Sequence, residues 1–111
     1  MDKLNILWTI DNKDTVYTAL VIYAMNSISM GWWKKVNVII WGASAKLVGN
    51  DPEVRQYVED MIESGITVEA CRNCADYLKV TEILEKIGVD VKYMGNPLTE
   101  YIKAGEKILT I

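Results

Sequence analysis

The chain has 111 residues, half of them hydrophobic and 24% charged, with a formal net charge of −3 and no histidine. That length suits one compact domain, residues 1–111, and the apolar share suits a buried core rather than disorder. The acidic balance, without a Lys/Arg-rich patch, argues against a nucleic-acid partner. The missing histidine excludes Ser-His and Cys-His relays and the commonest zinc sites.

Leu4 to Thr9 reads as a buried strand, short and rich in strand formers. The turn Asp11-Asn12-Lys13-Asp14 follows, with Asp14 as the expected N-cap. Thr15 to Ser29 has helical spacing. It places Val16, Ala19, Leu20, Tyr23 and Ala24 on one face and further apolar residues off it. A helix apolar nearly all round is buried on more than one side, and in so small a domain the second side is expected to be a partner subunit. Gly31 ends the helix. The run Val16 to Met25, broken by Thr18, is too short to cross a bilayer, so no membrane is expected.

Lys35 to Trp41 is a second strand, near-continuously apolar at its end as a central parallel strand should be. Gly42 to Leu47 reads as a loop or short helical turn. Asn50-Asp51-Pro52 starts a helix that runs to about Ser64, and Gly65 closes it. Ile66 to Ala70 is strand three, and a helix from about Cys74 to Ile87 follows. Val89 to Met94 is strand four, Leu98 to Ala104 another helix, and Lys107 to Ile111 the last strand. Strands alternating with helices predict an α/β fold, one parallel sheet of about five strands with helices on both faces. Ligands in such folds gather beyond the carboxyl ends of the strands. Thr9 to Asp14, Trp41 to Lys46, Cys71 to Cys74 and Gly95-Asn96 all emerge there.

Cys71-Arg72-Asn73-Cys74 is the stretch that carries chemistry. The chain lacks a basic, apolar, small-residue leader pattern, so the expected compartment is the cytoplasm, where structural disulfides are rare. A Cys-x-x-Cys pair there points to redox, sulfur or metal chemistry. Two cysteines alone do not complete a tetrahedral metal set, and no phosphate-loop or Gly-x-Gly-x-x-Gly fingerprint occurs, so neither metal nor cofactor is expected. A helix N-terminus favours thiolate, and a cysteine there can have its pKa lowered to roughly 3.5–7.5 from about 8.5. The spacing also puts both sulfurs on one helix face, so they can pair or one can resolve a bond formed by the other.

Each candidate also has a plainer reading. Cys71 is either the buried end of a strand or a nucleophile at its tip, and Cys74 either a small residue in a first turn or a resolving thiol. Arg72 and Lys46 are solvated charges unless they face Cys71, where they would stabilise its thiolate. Ser44 lacks a base and reads as a loop residue. Trp8 and Trp41 read as core. Trp32-Trp33, beside Lys34-Lys35, reads as an interface.

Val68-Glu69-Ala70-Cys71-Arg72-Asn73-Cys74-Ala75 resembles the strand-Cys-x-Asn-Ser/Ala segment of the DsrE-like (DsrE/DsrF) family of small sulfur-handling proteins. Trp41-Gly42-Ala43-Ser44-Ala45-Lys46-Leu47-Val48 is similar to that family's segment after its second strand. Gly88-Val89 through Gly105-Glu106-Lys107-Ile108-Leu109 looks like its closing helix and strand. The resemblance covers essentially the whole chain. It implies a three-layer α/β/α sandwich around a five-strand parallel sheet, and homo-oligomers (trimers or hexamers). In its sulfur-relay members a cysteine after the third strand carries a persulfide between donor and acceptor proteins. The matching residue here is Cys71, with Cys74 as second thiol and Asn73, Arg72, Gly42 and Lys46 in support. Cys74 stands where many members have serine or another small residue, which implies a variant able to form a disulfide. A persulfide carrier or sulfurtransferase subunit is therefore the first expectation. A non-catalytic oligomeric binding or assembly protein comes next, then a dithiol oxidoreductase.

Overall fold

Five apolar runs form five strands: β1 Lys3–Trp8, β2 Lys35–Ile40, β3 Thr67–Cys71, β4 Asp90–Lys92 and β5 Lys107–Thr110. All pair in parallel, in the order β4-β3-β2-β1-β5. The computed structural model describes residues 2–111.

The helices are α1, a continuous run of Lys13–Thr15, Val16–Val21 and Ile22–Ser29; α2 Ala43–Asn50; α3 Pro52–Glu63; α4 Arg72–Tyr77; α5 Thr81–Lys86; and α6 Gly95–Lys103. Helix α1 is wound as a π-helix over Val16–Val21, where the Ile22 N–H reaches back to the Tyr17 carbonyl. The expected sandwich is present: a parallel sheet with helices on both faces.

The two faces are unequal. Period-2 alternation sends Ile6, Val38 and Val68 to one side, where they form one core with Leu20, Val54 and Leu84 from α1 to α5. On the other side Ile39 and Cys71 pack only with Met94 and residues such as Leu98 and Tyr101, so a single helix, α6, covers that face among the described residues. Topology explains the asymmetry. Three successive crossovers move from β1 to β4 in one direction, and the fourth returns across the sheet to β5. Right-handed crossovers of opposite direction lie on opposite faces.

Four local expectations are corrected. Asn12, not Asp14, caps α1: its side chain accepts the Thr15 N–H at 2.9 Å. Ser44 is no loop residue. It is buried in the first turn of α2, accepts the Trp41 N–H at 3.0 Å and donates to the Trp8 carbonyl at 2.6 Å, tying β1 to β2. Helix α6 starts at Gly95, before the expected Leu98. Finally, the single helix expected over 74–87 is two helices. Lys79 takes φ +60°, and Val80 N–H to Ala75 O (2.9 Å) with Lys79 N–H to Asp76 O (3.1 Å) closes α4. That is the hydrogen-bond pattern of a left-handed helix stop, normally marked by glycine and here by lysine. Val80 then turns inward against Gly49, where an added Cβ would lie only 2.2 Å from it.

Candidate functional site

Cys71 ends β3 and Cys74 is the third residue of α4, so both thiols sit at the carboxyl edge of the sheet, and both are free. They differ in access. Cys71 is 4% exposed, under Met94 and beside Ile39 on the α6 face. Cys74 is half-buried and packs against both hydrophobic clusters. The loop after β2 reaches the pair through Gly42, whose N–H donates to Cys74 Sγ at 3.3 Å. Gly42 holds φ +69°, a left-handed conformation that costs glycine little, and this aims its N–H across 32 residues of sequence at the sulfur.

The other expected supporting residues are not gathered there. The Arg72 guanidinium donates to the Val91 carbonyl at 2.9 Å and lies 3.5 Å from Glu85, bracing β3 and α4 against β4 and α5. Asn73 and Lys46 are exposed, and among the described residues neither Lys46 nor Arg72 makes a hydrogen bond or ion pair to either sulfur.

The Cys74 thiol is also not acidified. Burial pushes its pKa above the ordinary value and the adjacent Cys71 adds to this; the Gly42 N–H works the other way without reversing the outcome. Helix α4 has only six residues, so its dipole is short. Because the thiolate is the reactive form, alkylation of Cys74 is expected to be slow at neutral pH and to keep accelerating past pH 9.0, its ordinary pKa. Site-resolved alkylation against pH checks this; a rate already level at neutral pH would contradict it.

A second feature lies away from the cysteine motif. On the α6 face, Asn5, Asn37 and Glu69 form a buried polar row across β1, β2 and β3. Asn37 Nδ2 donates to Asn5 Oδ1 at 3.1 Å and to Glu69 Oε1 at 2.8 Å, and Thr67 donates to Asn37 Oδ1 at 2.7 Å. Tyr101 of α6 donates its hydroxyl to Glu69 Oε1 at 2.8 Å, and Lys92 lies 2.5 Å from Glu69 Oε2. One polar residue inside each of three apolar runs (Leu-Asn-Ile, Val-Asn-Val and Val-Glu-Ala) was the available signal. Among the described residues, no group of three Cys, Asp or Glu side chains is placed to hold a metal ion, and no helix is long and apolar enough to cross a membrane.

The chain is 56% identical to BT1422 from Bacteroides thetaiotaomicron, a conserved protein of unknown function. The match covers 99% of this chain and 95% of that one, with a TM-score of 0.97. The chain belongs to the BT1422 family. Two solved structures resemble this BT1422 relative in fold at 17% identity, each over the full length of both chains. They are MTH1491 from Methanobacterium thermoautotrophicum, of unknown function, at a TM-score of 0.80, and YchN from E. coli at 0.64. YchN has a DsrE-like fold, and the likeness to it is one of fold. No family model and no curated protein matches the chain.

Proposed function

We propose that this chain handles sulfur through the Cys71–Cys74 pair, as a persulfide carrier or sulfurtransferase subunit. The observation that carries the reading is the pairing of a half-exposed thiol, held by the Gly42 N–H, with a buried thiol directly beside it. The DsrE-like resemblance gives the carrier position to Cys71. The difference in burial supports giving the receiving step to Cys74 and the second step to Cys71.

In the first step the Cys74 sulfur, losing its proton, attacks the outer sulfur of a donor protein's persulfide. A new S–S bond forms on Cys74, the donor's S–S bond breaks, and the donor thiolate leaves with the proton. No net oxidation occurs. The Gly42 N–H offsets negative charge on the attacking sulfur. The outer sulfur then passes to an acceptor thiol by the same exchange. When no acceptor is present, Cys71 attacks the inner sulfur, expels hydrosulfide and leaves a Cys71–Cys74 disulfide, which an external dithiol reduces. The cytoplasm suits this chemistry because thiols stay reduced there. Donor and acceptor proteins, and a trimeric or hexameric assembly, belong to the same reading.

Intact-protein mass spectrometry after incubation with a persulfide donor tests it. Cys71→Ser is expected to gain and keep one sulfur, wild type to gain it and then lose it as the Cys71–Cys74 disulfide forms, and Cys74→Ser to gain none. Loading of Cys74→Ser at the wild-type level would move the receiving step to Cys71. Absence of loading in all three would favour the second reading, an assembly protein with packed thiols, to which the low exposure of Cys71 also lends support.

A further inference from the structure

Helix α6 covers only the carboxyl half of its face of the sheet, over Ile39 and Cys71. The amino half is left as a cavity of about 590 Å³, walled by Tyr101 on one side. That volume falls among small-molecule sites, which span roughly 300–1,000 Å³. It runs from the amino ends of β1 and β2 up to Glu69 and Tyr101, which separate it from Cys71.

The charges of this cavity are segregated. Lys3 and Lys35 are register partners at the start of β1 and β2, and both line it. Glu69 and Asp90 are register partners on β3 and β4, and both line it as well. Like charges side by side on adjacent strands are destabilising unless something neutralises them. Lys3 is answered by Glu106 at 3.1 Å and lies over the Tyr101 ring, 4.4 Å from its centre. Lys92 sits between Glu69 and Asp90, at 2.5 and 3.1 Å, leaving that group one negative charge in excess. Lys35 has no ion-pair partner among the described residues. One uncompensated positive charge therefore faces β1–β2 and one uncompensated negative charge faces β3–β4. The Asn37 amide and the Thr67 hydroxyl line the floor between them.

We infer that this cavity binds a small zwitterion of the amino-acid or short-peptide class. The ligand's carboxylate lies on Lys35, and its ammonium on the Glu69–Asp90 side. Glu69 pairs with Ile39, four residues beyond Lys35 on β2, so the two poles lie about 13 Å apart along the strands and one to two spacings of about 4.8 Å across, a span that lysine's reach and a dipeptide's length together can bridge.

Isothermal titration of the full chain with alanine, alanyl-alanine, acetate, propylamine and N-acetylalanine amide tests the inference. Saturable binding is expected for alanine or alanyl-alanine and not for the three that lack one or both charges. Lys35→Glu and Asp90→Lys, both at exposed positions, are each expected to weaken that binding about tenfold or more. The inference is overturned if no zwitterion binds saturably, if acetate or propylamine binds as well as alanine, or if Lys35→Glu leaves affinity unchanged.

Discussion

Glu69→Ala is expected to lower folding stability by about 3 kcal/mol, because removing one member of a buried charged network strands its partners. Glu69 is 7% exposed, and its two oxygens take the Asn37 amide, the Tyr101 hydroxyl and the Lys92 ammonium. Alanine leaves the Asn37 amide short of an acceptor inside the sheet and frees the hydroxyl that latches α6. Lys92 is 40% exposed and rehydrates, which keeps the loss below that of a fully buried pair. Burial alone raises the Glu69 pKa, but Lys92, Asn37 and Tyr101 outweigh it and hold the carboxyl below its ordinary 4.5. A carboxylate depressed in the folded state stabilises fully above its unfolded pKa and loses that contribution as pH falls through the folded value. Wild type should therefore lose stability as pH drops below about 4.5, and Glu69→Gln should lose less over the same range. Tyr101, pushed up to about 12 by burial and by the adjacent Glu69, remains a donor throughout. Urea unfolding of the variants at neutral and acid pH measures this; a loss under about 1 kcal/mol for Glu69→Ala would contradict it.

Trp8→Ala is the second large effect, expected at about 4 kcal/mol, in the range for deleting a large aromatic from a core. Trp8 is fully buried at the end of β1, and its indole N–H donates to the Ile10 carbonyl at 2.9 Å. Its backbone carbonyl accepts from Ser44 and from the Trp41 N–H. These bonds set the turn that carries Gly42, so loss of Trp8 loosens the Gly42–Cys74 contact as well as the core. The measurement is a thermal or urea midpoint together with the Cys74 alkylation rate, which is expected to rise with the loss of packing. Trp8→Phe, which retains most of the apolar bulk, should recover most of the stability; equal losses in both variants would contradict the packing account.

Much of this architecture is legible in the chain. Apolar runs such as Val36 to Ile40 mark buried parallel strands, and Gly65, Gly88 and Gly105, all at positive φ, mark helix stops. Cys71 and Cys74 read correctly as lying at a strand end and in the following helix. What escapes is non-local or lacks its usual residue. The break at Lys79 has no glycine to announce it. The Asn5–Asn37–Glu69 row exists only once three strands are placed in register, and each member alone looks like a polar interruption. The cover over Cys71 depends on α6 recrossing the sheet on the far face, a consequence of strand order that local spacing does not encode. The acidity expected of a thiol at a helix start is not met at Cys74, where burial raises the pKa.

The central claim, that sulfur enters on the outer thiol of the pair, is most directly tested by mapping a persulfide-selective label on the wild-type chain after a single exposure to donor. The account predicts the label on Cys74, followed, when acceptor is withheld, by release of hydrosulfide and a Cys71–Cys74 disulfide. Label found on Cys71 with Cys74 unmodified, or on neither while the donor remains competent toward a free thiol, would contradict it.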